Sequence, residues 1–591
     1  MLLPLSRNFA VLLLGLLALS SHRQGTGAVQ IQSPNLSQSP TSKQRADAVK
    51  KAYVDSYNDY KKYALGYDAL APVSKKGVNY LGGWGATVVD SLTTSYVMGL
   101  QDLFQEAVDF TKRIDFTKTE QSTISLFETN IRYLGGMLSA FELGGKKETK
   151  LVDQAKIVGD HLLKGWVGVN DLPFNTLHWN NDGQPDTNSK PGIAEAGTLL
   201  IEFDRLSKYT GDPKYLQYAE KAMKAIINSK PVFPGLYAQN YDASTNQASN
   251  DYVTWGGGSD SFFEYLVKYA YLVGSDSSQP YLPTWVDSVK SSIRNLITSP
   301  QGTDRKDLKY LTDYSASNGG NLPRFSHLGC FVGGNWLLGS KMLGGYQPFQ
   351  TYGLDLVESC YNTYNSSTTG IGPETFVFIG EKGGTNGVNV KDYNFYGKNG
   401  FDYEVEQYIL RPEVLESVFY AYRITGDQRW QDLSWKAFQS ILKYCKAPAA
   451  LSSIDSVKSS KPNLLDDSES FLYAETFKYI YLTFADPSVV NLDRYVLNTE
   501  GHPFLIDQPG KAKYQVDLGD TEPVPSPPPP TPTSQNGEEE KPGSVPVPKF
   551  SSLPDLGKLV QKPDGSYLLG GLLDLLDRAS IEWMGNLERG S

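Results

Sequence analysis

Acidic side chains embedded in apolar or aromatic runs are the most unusual chemical feature of this sequence. Desolvating a carboxylate costs free energy, so such residues seldom lie among apolar neighbours without a partner or a task. Burial also raises the pKa of a carboxyl group, as a general acid working near neutral pH requires. The acids are Glu128, Asp260, Glu264, Glu374, Glu413, Glu416, Glu475 and Glu500.

The chemistry that these acids indicate depends on what accompanies them. The sequence has only five histidines, and none has the paired spacing of a zinc site. It also has no GxSxG nucleophile elbow and no phosphate-binding P-loop. Acids without such partners suit glycoside hydrolysis or the binding of a hard cation such as calcium. A salt bridge explains any one of them equally well, but their number favours a site.

Residues 408–430 show how one helix would position two of the acids. Pro412 suits a first helical turn, and the apolar residues that follow recur at helical spacing. Glu413 and Glu416 are three residues apart and therefore share one face near the N-terminus. Gly426 predicts the helix end. Taken alone, this pattern is more typical of a solvated helix start, so the recurrence of such clusters carries the argument.

Helical hairpins recur along the chain. A helix, a Thr-Gly-Asp turn and a second helix occupy residues 203–226 and again 419–441, with looser versions beginning at Met137 and Glu264. Repeated hairpins predict an open solenoid or a closed barrel. The closed barrel is favoured because the polar clusters near the loops would converge at one end.

Composition restricts the compartment and the partners. The chain has 591 residues and a formal charge of −10, and this negative charge disfavours nucleic acid and anionic membranes as partners. Its 12% of aromatic residues suits a carbohydrate-facing or a richly packed helical protein. Residues 1–20 have the pattern of a secretory signal peptide, and no later segment is apolar enough to span a bilayer. In that oxidising route, Cys330, Cys360 and Cys445 are consistent with one disulfide and one buried thiol. Asn35 and Asn365 are N-glycosylation acceptors.

Composition also divides the chain. Residues 21–45 are rich in Ser, Gln and Pro and are predicted to be disordered. Residues 46–510 form the predicted helical domain. A Pro-rich linker occupies residues 511–550, and residues 551–591 form a tail with a short amphipathic segment and no assignable role.

A series of motifs runs along the whole helical domain. They are residues 84–100, 125–143, 194–212, 256–268 and 327–334, followed by GIGPETF, LRPEVLESVFYAYRITGD, SFLYAETFKYIYL and LDRYVLNTEGHPF. By these motifs, which occur in family order, the domain resembles the class I α-1,2-mannosidases of glycoside hydrolase family 47, particularly their secreted fungal members.

This resemblance implies an all-α (α/α)7 barrel of helical hairpins closed by a C-terminal β-hairpin plug. It implies that Thr499 gives calcium its only direct protein ligands. The carboxylates that would hold the water ligands are Glu374, Glu416, Glu475 and Glu500. Calcium suits such oxygen-rich, flexible coordination.

The resemblance also assigns catalytic roles in an inverting mechanism. Glu128 matches the proposed general acid and Glu413 the proposed general base, while Asp260 matches a third essential carboxylate of disputed role. Inversion requires carboxyl groups roughly 6.5–9.5 Å apart, and we expect that separation or more between Glu128 and Glu413.

The remaining site residues follow from the same resemblance. Phe471 matches an aromatic that packs on the sugar, and the other substrate-binding candidates are Arg132, Glu195, Glu264, His327 and Arg411. Cys330 and Cys360 match the family disulfide, which leaves Cys445 free. Gly258 replaces an arginine that restricts branch choice in endoplasmic-reticulum members, so broad trimming is expected.

The favoured interpretation is a calcium-dependent exo-α-1,2-mannosidase that trims high-mannose N-glycans from Man9 towards Man5. It would act in the secretory pathway, either secreted or in the lumen of the endoplasmic reticulum or Golgi, with a monomer as the default. The alternative is a glycan-binding quality-control lectin of the degradation-enhancing type. A helical-barrel hydrolase of another glycan family would require a coincidental Asn-Thr-Glu hairpin.

Overall fold

A computed structural model describes residues 29–275, 279–511 and 514–518. Its helices alternate between a buried inner set and an amphipathic outer set. The helices are α1 (Pro40–Ala64), α2 (Ala86–Val97), α3 (Gln101–Thr111), α4 (Leu126–Thr129), α5 (Gly135–Leu143), α6 (Thr149–Leu162), α7 (Ile193–Gly197), α8 (Leu200–Thr210), α9 (Lys214–Ile227), α10 (Asp260–Val273), α11 (Tyr281–Asn295), α12 (Val332–Met342), α13 (Gln347–Ser366), α14 (Tyr393–Asn399), α15 (Glu413–Thr425), α16 (Arg429–Tyr444) and α17 (Phe477–Phe484).

The inner helices form a ring of successive contacts. In chain order they are α2, α5, α8, α10, α12, α15 and α17; each contacts the next, and α17 contacts α2. The outer helices are α3, α6, α9, α11, α13, α16 and, packed on α17, α1. The predicted all-α fold of helical hairpins is therefore confirmed.

Burial distinguishes the two sets in the way that their sequences require. In the inner helix α10, every residue from Ser261 to Leu272 is buried. In the outer helix α9, the buried residues recur every three or four positions, which is one helical face. Aromatic side chains join the sets: Trp285 of α11 packs where Gly339 of α12 leaves room, because a Cβ there would lie 2.0 Å from the indole.

The glycine turns lie where the sequence predicts them. Gly211, Gly274 and Gly426 follow α8, α10 and α15, and each has a left-handed backbone with φ between 69° and 75°. This conformation ends a helix at little cost only in glycine. The inner helices consequently begin at one end of the ring, where Asp260 and Glu413 are first residues, and turn outward at the other.

Two inner segments contain a π-helical turn, Asn130–Leu134 between α4 and α5 and Leu472–Thr476 before α17. Such turns insert an extra residue into a helix and are frequent at functional sites. Here they contain Arg132 and Glu475. Short 3₁₀ turns occupy Leu163–Gly165 and Leu328–Phe331.

Short strands connect the hairpins, mainly at the end where the inner helices begin. The antiparallel sheets that concern the site are β3–β4–β5, β13–β14–β15 and the hairpin β16–β17. The strands are β1 (Ala69–Ala71), β2 (Lys76–Val78), β3 (Ile124–Ser125), β4 (Thr176–His178), β5 (Gln184–Pro185), β6 (Tyr241–Asp242), β7 (Gln247–Ala248), β8 (Tyr252–Val253), β9 (Ile297–Thr298), β10 (Tyr310–Leu311), β11 (Asp313–Ser315), β12 (Gly320–Leu322), β13 (Arg324–Ser326), β14 (Thr375–Val377), β15 (Asp402–Val405), β16 (Tyr495–Leu497) and β17 (Pro503–Leu505).

The C-terminal hairpin enters the ring, as predicted. β17 contacts α5 and β16 contacts α10, both inner helices. The hairpin loop, residues 498–502, is buried except for the partly exposed Thr499. Asn498 donates to the carbonyl oxygen of Ile131 at 3.1 Å, inside the first π-helical turn.

The prediction of a disordered N-terminal segment is wrong for residues 29–45. Ile31 is fully buried, and its amide donates to Asp493 at 2.6 Å. Gln32 accepts a hydrogen bond from the buried Arg423 at 2.7 Å, and α1 already begins at Pro40. Polar residues that suggested disorder, such as Gln32, instead form hydrogen bonds with distant parts of the chain.

Other sequence predictions have different outcomes. A disulfide joins Cys330 and Cys360, and Cys445 is a buried free thiol. Asn35 and Asn365 are exposed, and their glycosylation stays a prediction. Within the described ranges, no helix combines the length and apolarity needed to cross a membrane. The signal peptide, the tail and nearly all of the Pro-rich linker lie outside the described residues.

Candidate active site

Arg132 gathers three acids at the first π-helical turn. Its guanidinium donates to Glu128 at 2.8 Å and to Glu500 at 2.5 Å, and it lies 3.4 Å from Asp90. Glu128 stands in the first turn of α4, where the side chain of Ser125 caps the helix by accepting from its amide at 3.2 Å. The turn thus fixes one candidate acid to a buried arginine.

Glu413 has a separate set of partners. It is the first residue of α15, and its Oε2 lies 2.8 Å from Nδ1 of His327. The other imidazole nitrogen lies 2.9 Å from the hydroxyl of Tyr364. Burial would raise the pKa of Glu413, but the hydrogen bond from His327 and the charge of Arg411 outweigh burial and lower that pKa. Glu413 is therefore a carboxylate at neutral pH.

Phe471 lies between the two halves of the site. The guanidinium groups of Arg132 and Arg411 lie 5.8 and 5.7 Å from the centre of its ring. Arg411 donates to Glu374 at 2.6 Å. Two arginines thus contact one buried aromatic ring, and packing of a sugar on that ring stays a prediction.

Several other carboxyl groups of the candidate site are buried. Burial raises the pKa of Glu416 to about 8. The charge of Lys268 opposes this shift, whereas the charges of Glu264 and Glu413 add to it. Burial raises the pKa of Glu475 and of Glu500 well above the usual range, and neighbouring carboxylates add to this shift. Lys268 forms ion pairs with Glu264 and, at 3.6 Å, with Glu416.

The hairpin loop projects into this acidic cluster. The amide of Thr499 lies 3.5 Å from the hydroxyl of Tyr265, which donates to Glu202 at 2.5 Å. Asn498 donates to the same carboxyl group at 2.8 Å. Beyond Thr499, a Cβ at Gly501 would lie 3.1 Å from Cγ of Glu475. The loop is held on one side by Glu202 and meets the acids on the other.

Three further candidate residues lie at the starts of two neighbouring helices, α7 and α10: Glu195, Gly258 and Asp260. The amide of Ala194 donates to the carbonyl oxygen of Gly258 at 3.0 Å, which joins the starts of α7 and α10. Glu195 caps α7 through the amide of Gly192 at 2.8 Å and accepts from Asn175 at 2.5 Å. Gly258 has φ +83°, and a Cβ there would lie 2.7 Å from Nε2 of Gln239.

Exposure separates the acids into two groups. Glu128, Asp260 and Glu413 are partly exposed, whereas Glu264, Glu374, Glu416, Glu475 and Glu500 are buried. The first group can meet a substrate directly. The second is suited to holding other groups in place.

Sequence reasoning missed several residues that the structure adds to the site. Asp90 is fully buried and joins Arg132, while Lys268 is the cation beside Glu264 and Glu416. Glu469 is buried two residues before Phe471 and accepts from Tyr80 at 2.7 Å. Asp90 and Lys268 lie inside motifs that the sequence singled out, so their charge in an apolar run was the available signal, whereas Glu469 directly precedes such a motif and has no apolar run before it.

A hard cation fits the acids below Thr499. In the part of the chain that the structure describes, no three His, Cys, Asp or Glu side chains are arranged as direct metal ligands. However, the charges of Glu500 and Glu416 both raise the pKa of the buried Glu475. A divalent cation near them would offset this repulsion, and oxygen donors are the ligands that calcium prefers.

Comparisons with known proteins identify the family of this chain. Glycosyl hydrolase family 47 matches residues 52–506. The mannosyl-oligosaccharide alpha-1,2-mannosidase 1B of Aspergillus phoenicis is 37% identical over 491 residues, covering 80% of this chain and 93% of its own. The mannosyl-oligosaccharide alpha-1,2-mannosidase of Coccidioides posadasii is 39% identical over 492 residues, covering 80% and 92%.

A solved structure extends the likeness to the fold. The alpha-1,2-mannosidase from Trichoderma reesei superposes with a TM-score of 0.75 at 36% identity, covering 80% of this chain and 100% of the other. The helical-hairpin fold and its acidic site therefore define a glycosidase. More particularly, the chain belongs to glycosyl hydrolase family 47.

Proposed function

We propose that this protein is a calcium-dependent, inverting exo-α-1,2-mannosidase that removes terminal mannose from high-mannose N-glycans. The names of the fungal relatives and of the solved structure support the substrate class. The glycan would be processed from Man9 towards Man5 in the secretory pathway.

One observation carries the proposal: Glu128 and Glu413 are two partly exposed acids that have separate hydrogen-bond partners. Glu128 is bound by Arg132, and Glu413 by His327, while Arg132 and Arg411 both lie over the Phe471 ring. An inverting glycosidase needs two carboxyl groups on opposite faces of one sugar. We therefore place the terminal mannose between these two partly exposed acids.

Glu413 would act as the general base. Its lowered pKa keeps it ionised, and His327 fixes the orientation of the carboxylate. A carboxylate so held can take a proton from water as that water attacks the anomeric carbon. Tyr364 in turn holds the imidazole from the far side.

Glu128 would deliver the proton to the departing sugar oxygen, through an intervening water. Arg132 holds its carboxyl group, and the cap by Ser125 fixes the turn that presents it. Asp260, partly exposed at the start of α10, is the third essential acid of the proposal. Its position places a further carboxyl group at the same end of the ring.

Calcium would be held by the carbonyl and hydroxyl oxygens of Thr499, with waters bound to Glu374, Glu416, Glu475 and Glu500. When bound there, the ion would supply positive charge beside the terminal mannose. The protein's own part is to hold the loop through Asn498, Tyr265 and Glu202.

The proposal is tested by digesting α-1,2-, α-1,3- and α-1,6-linked mannobiose and following the first product by proton NMR. We expect cleavage of the α-1,2 disaccharide alone, with β-mannose appearing before its mutarotation. α-Mannose as the first product would contradict inversion, and equal cleavage of all three linkages would contradict the specificity. Binding without cleavage would support the lectin alternative.

A further inference from the structure

A polar cavity of about 440 Å³ lies outside the acidic site. It is lined by Gln121, Ser122, His178, Asn180 and Asn181. Its volume falls within the usual range of ligand pockets, about 300–1,000 Å³. The lining offers amide, hydroxyl and imidazole groups and no Asp, Glu, Lys or Arg side chain. It is therefore suited to a neutral ligand rich in hydroxyl groups.

The sheet β3–β4–β5 connects this cavity to the candidate acid. Ser125, at the end of β3, pairs with Thr176 of β4 and caps the helix that carries Glu128. Asn175, directly before β4, accepts from the amide of Phe127 at 2.9 Å and donates to Glu195 at 2.5 Å. His178 is three residues after Asn175, so the rise of a strand places it roughly 10 Å from Asn175.

Hydrogen bonds within the protein hold the loops that line the cavity. Asn180 donates to the carbonyl oxygen of Thr119 at 2.7 Å and accepts from the Thr119 amide at 3.0 Å. Gln121 donates to the carbonyl oxygen of Asn79 at 3.1 Å. These bonds join two loops, so the wall is formed without a ligand.

Three lining side chains are available to a ligand. Ser122, His178 and Asn181 are exposed, and none makes a side-chain hydrogen bond or ion pair within the described residues. Their donors and acceptors face water rather than the protein, in contrast to those of Asn180 and Gln121.

We propose that this cavity is an outer binding site for the part of an oligosaccharide that extends beyond the cleaved sugar. This inference rests on the proposed function, because a branched mannose glycan has both the length and the neutral hydroxyl groups that the cavity suits. The cavity would add affinity for a large glycan without touching the reacting bond.

The test is a triple variant, Ser122→Ala/His178→Ala/Asn181→Ala, measured with two ligands. Titration calorimetry with a Man9 glycan, in a Glu413→Gln background that prevents turnover, should show Kd raised about tenfold, because the variant loses the hydrogen bonds of three side chains to the glycan. In the otherwise unaltered chain, kcat/KM for α-1,2-mannobiose should stay within about twofold, because the disaccharide does not reach the cavity.

The matched control is Thr149→Ala/Gln347→Ala. Both residues are exposed and begin outer helices at the opposite end of the ring. The control should change neither quantity. An unchanged Kd for Man9, or equal losses with both ligands, would overturn the inference. If the unaltered chain cleaves no mannobiose, the proposed function fails, whereas weaker Man9 binding by the triple variant would still support the cavity.

Discussion

Nδ1 of His327 lies 2.8 Å from Oε2 of Glu413, and this contact joins two parts of the chain that are 86 residues apart. His327 follows β13, and its amide donates to the carbonyl oxygen of Glu374 at 2.8 Å. The sheet β13–β14–β15 therefore sets the orientation of the imidazole, and the imidazole sets that of the carboxylate at the start of α15.

Removing His327 should shift the pH dependence of activity. Glu413 is active when ionised, so activity falls as pH falls through its pKa. Because His327 lowers that pKa, His327→Ala should raise it and move the acidic limb of kcat/KM to higher pH. Tyr364→Phe, which keeps the imidazole, should move the limb less. An unmoved limb in His327→Ala would contradict the assignment of Glu413 as base.

Arg132 should not be replaceable by lysine. One guanidinium reaches Glu128, Glu500 and Asp90, and the single ammonium of lysine cannot reproduce that fork. We expect Arg132→Lys to lower kcat about 100-fold, the usual effect of misplacing a catalytic group. Arg45→Lys, which alters an ion pair with Asp432 and contacts with Trp435 and Phe484 but touches none of the site acids, is the control and should leave kcat unchanged. Near-normal kcat in Arg132→Lys would show that this geometry is not required.

Gly258 should resist any side chain. Its φ of +83° is strained for other residues, and a Cβ would lie 2.7 Å from Gln239. Gly258→Ala should therefore cost about 1–3 kcal/mol in the free energy of unfolding, measured by urea denaturation. The neighbouring Gly257→Ala meets only Leu328 at 3.1 Å and should cost less. Equal losses would contradict the backbone argument.

An arginine at position 258 would also have to displace Gln239. The left-handed backbone at Gly258 thus gives a structural reason why this chain has glycine there rather than arginine. Broad trimming of several branches stays a prediction.

The buried Arg423 should be important for stability. It is fully buried and donates to the carbonyl oxygens of Leu482, Pro487 and Val489 and to the side chain of Gln32. Arg423→Met would leave these acceptors unsatisfied and should cost about 3 kcal/mol or more in the free energy of unfolding. Arg423→Lys should recover part of the loss. A wild-type urea midpoint in the methionine variant would contradict this role.

Local rules predict part of this structure well. The helix that begins after Pro412 and ends at Gly426 follows from backbone preferences that act within a few residues. The acids of the site were found because charge in apolar runs is unusual. The assignment of individual roles rests on family resemblance, and those roles stay predictions.

Long-range contacts explain what the sequence analysis missed. The order of residues 29–45 depends on Arg423 and Asp493, which are about four hundred residues away. The π-helical turn around Arg132 accommodates packing against Asn498 of the hairpin. No local sequence pattern predicts these contacts, because the partners come together only when the ring of helices has closed.

The most direct test of the central claim is digestion of a Man9 glycan by the purified protein, with and without EDTA, followed by mass spectrometry. We predict calcium-dependent loss of hexoses towards Man5, absent in Glu128→Gln and Glu413→Gln. Loss of a single hexose would keep the chemistry but contradict the interpretation of Gly258. Tight binding of Man9 with no hexose released would contradict the account, because the acids would then form a recognition site.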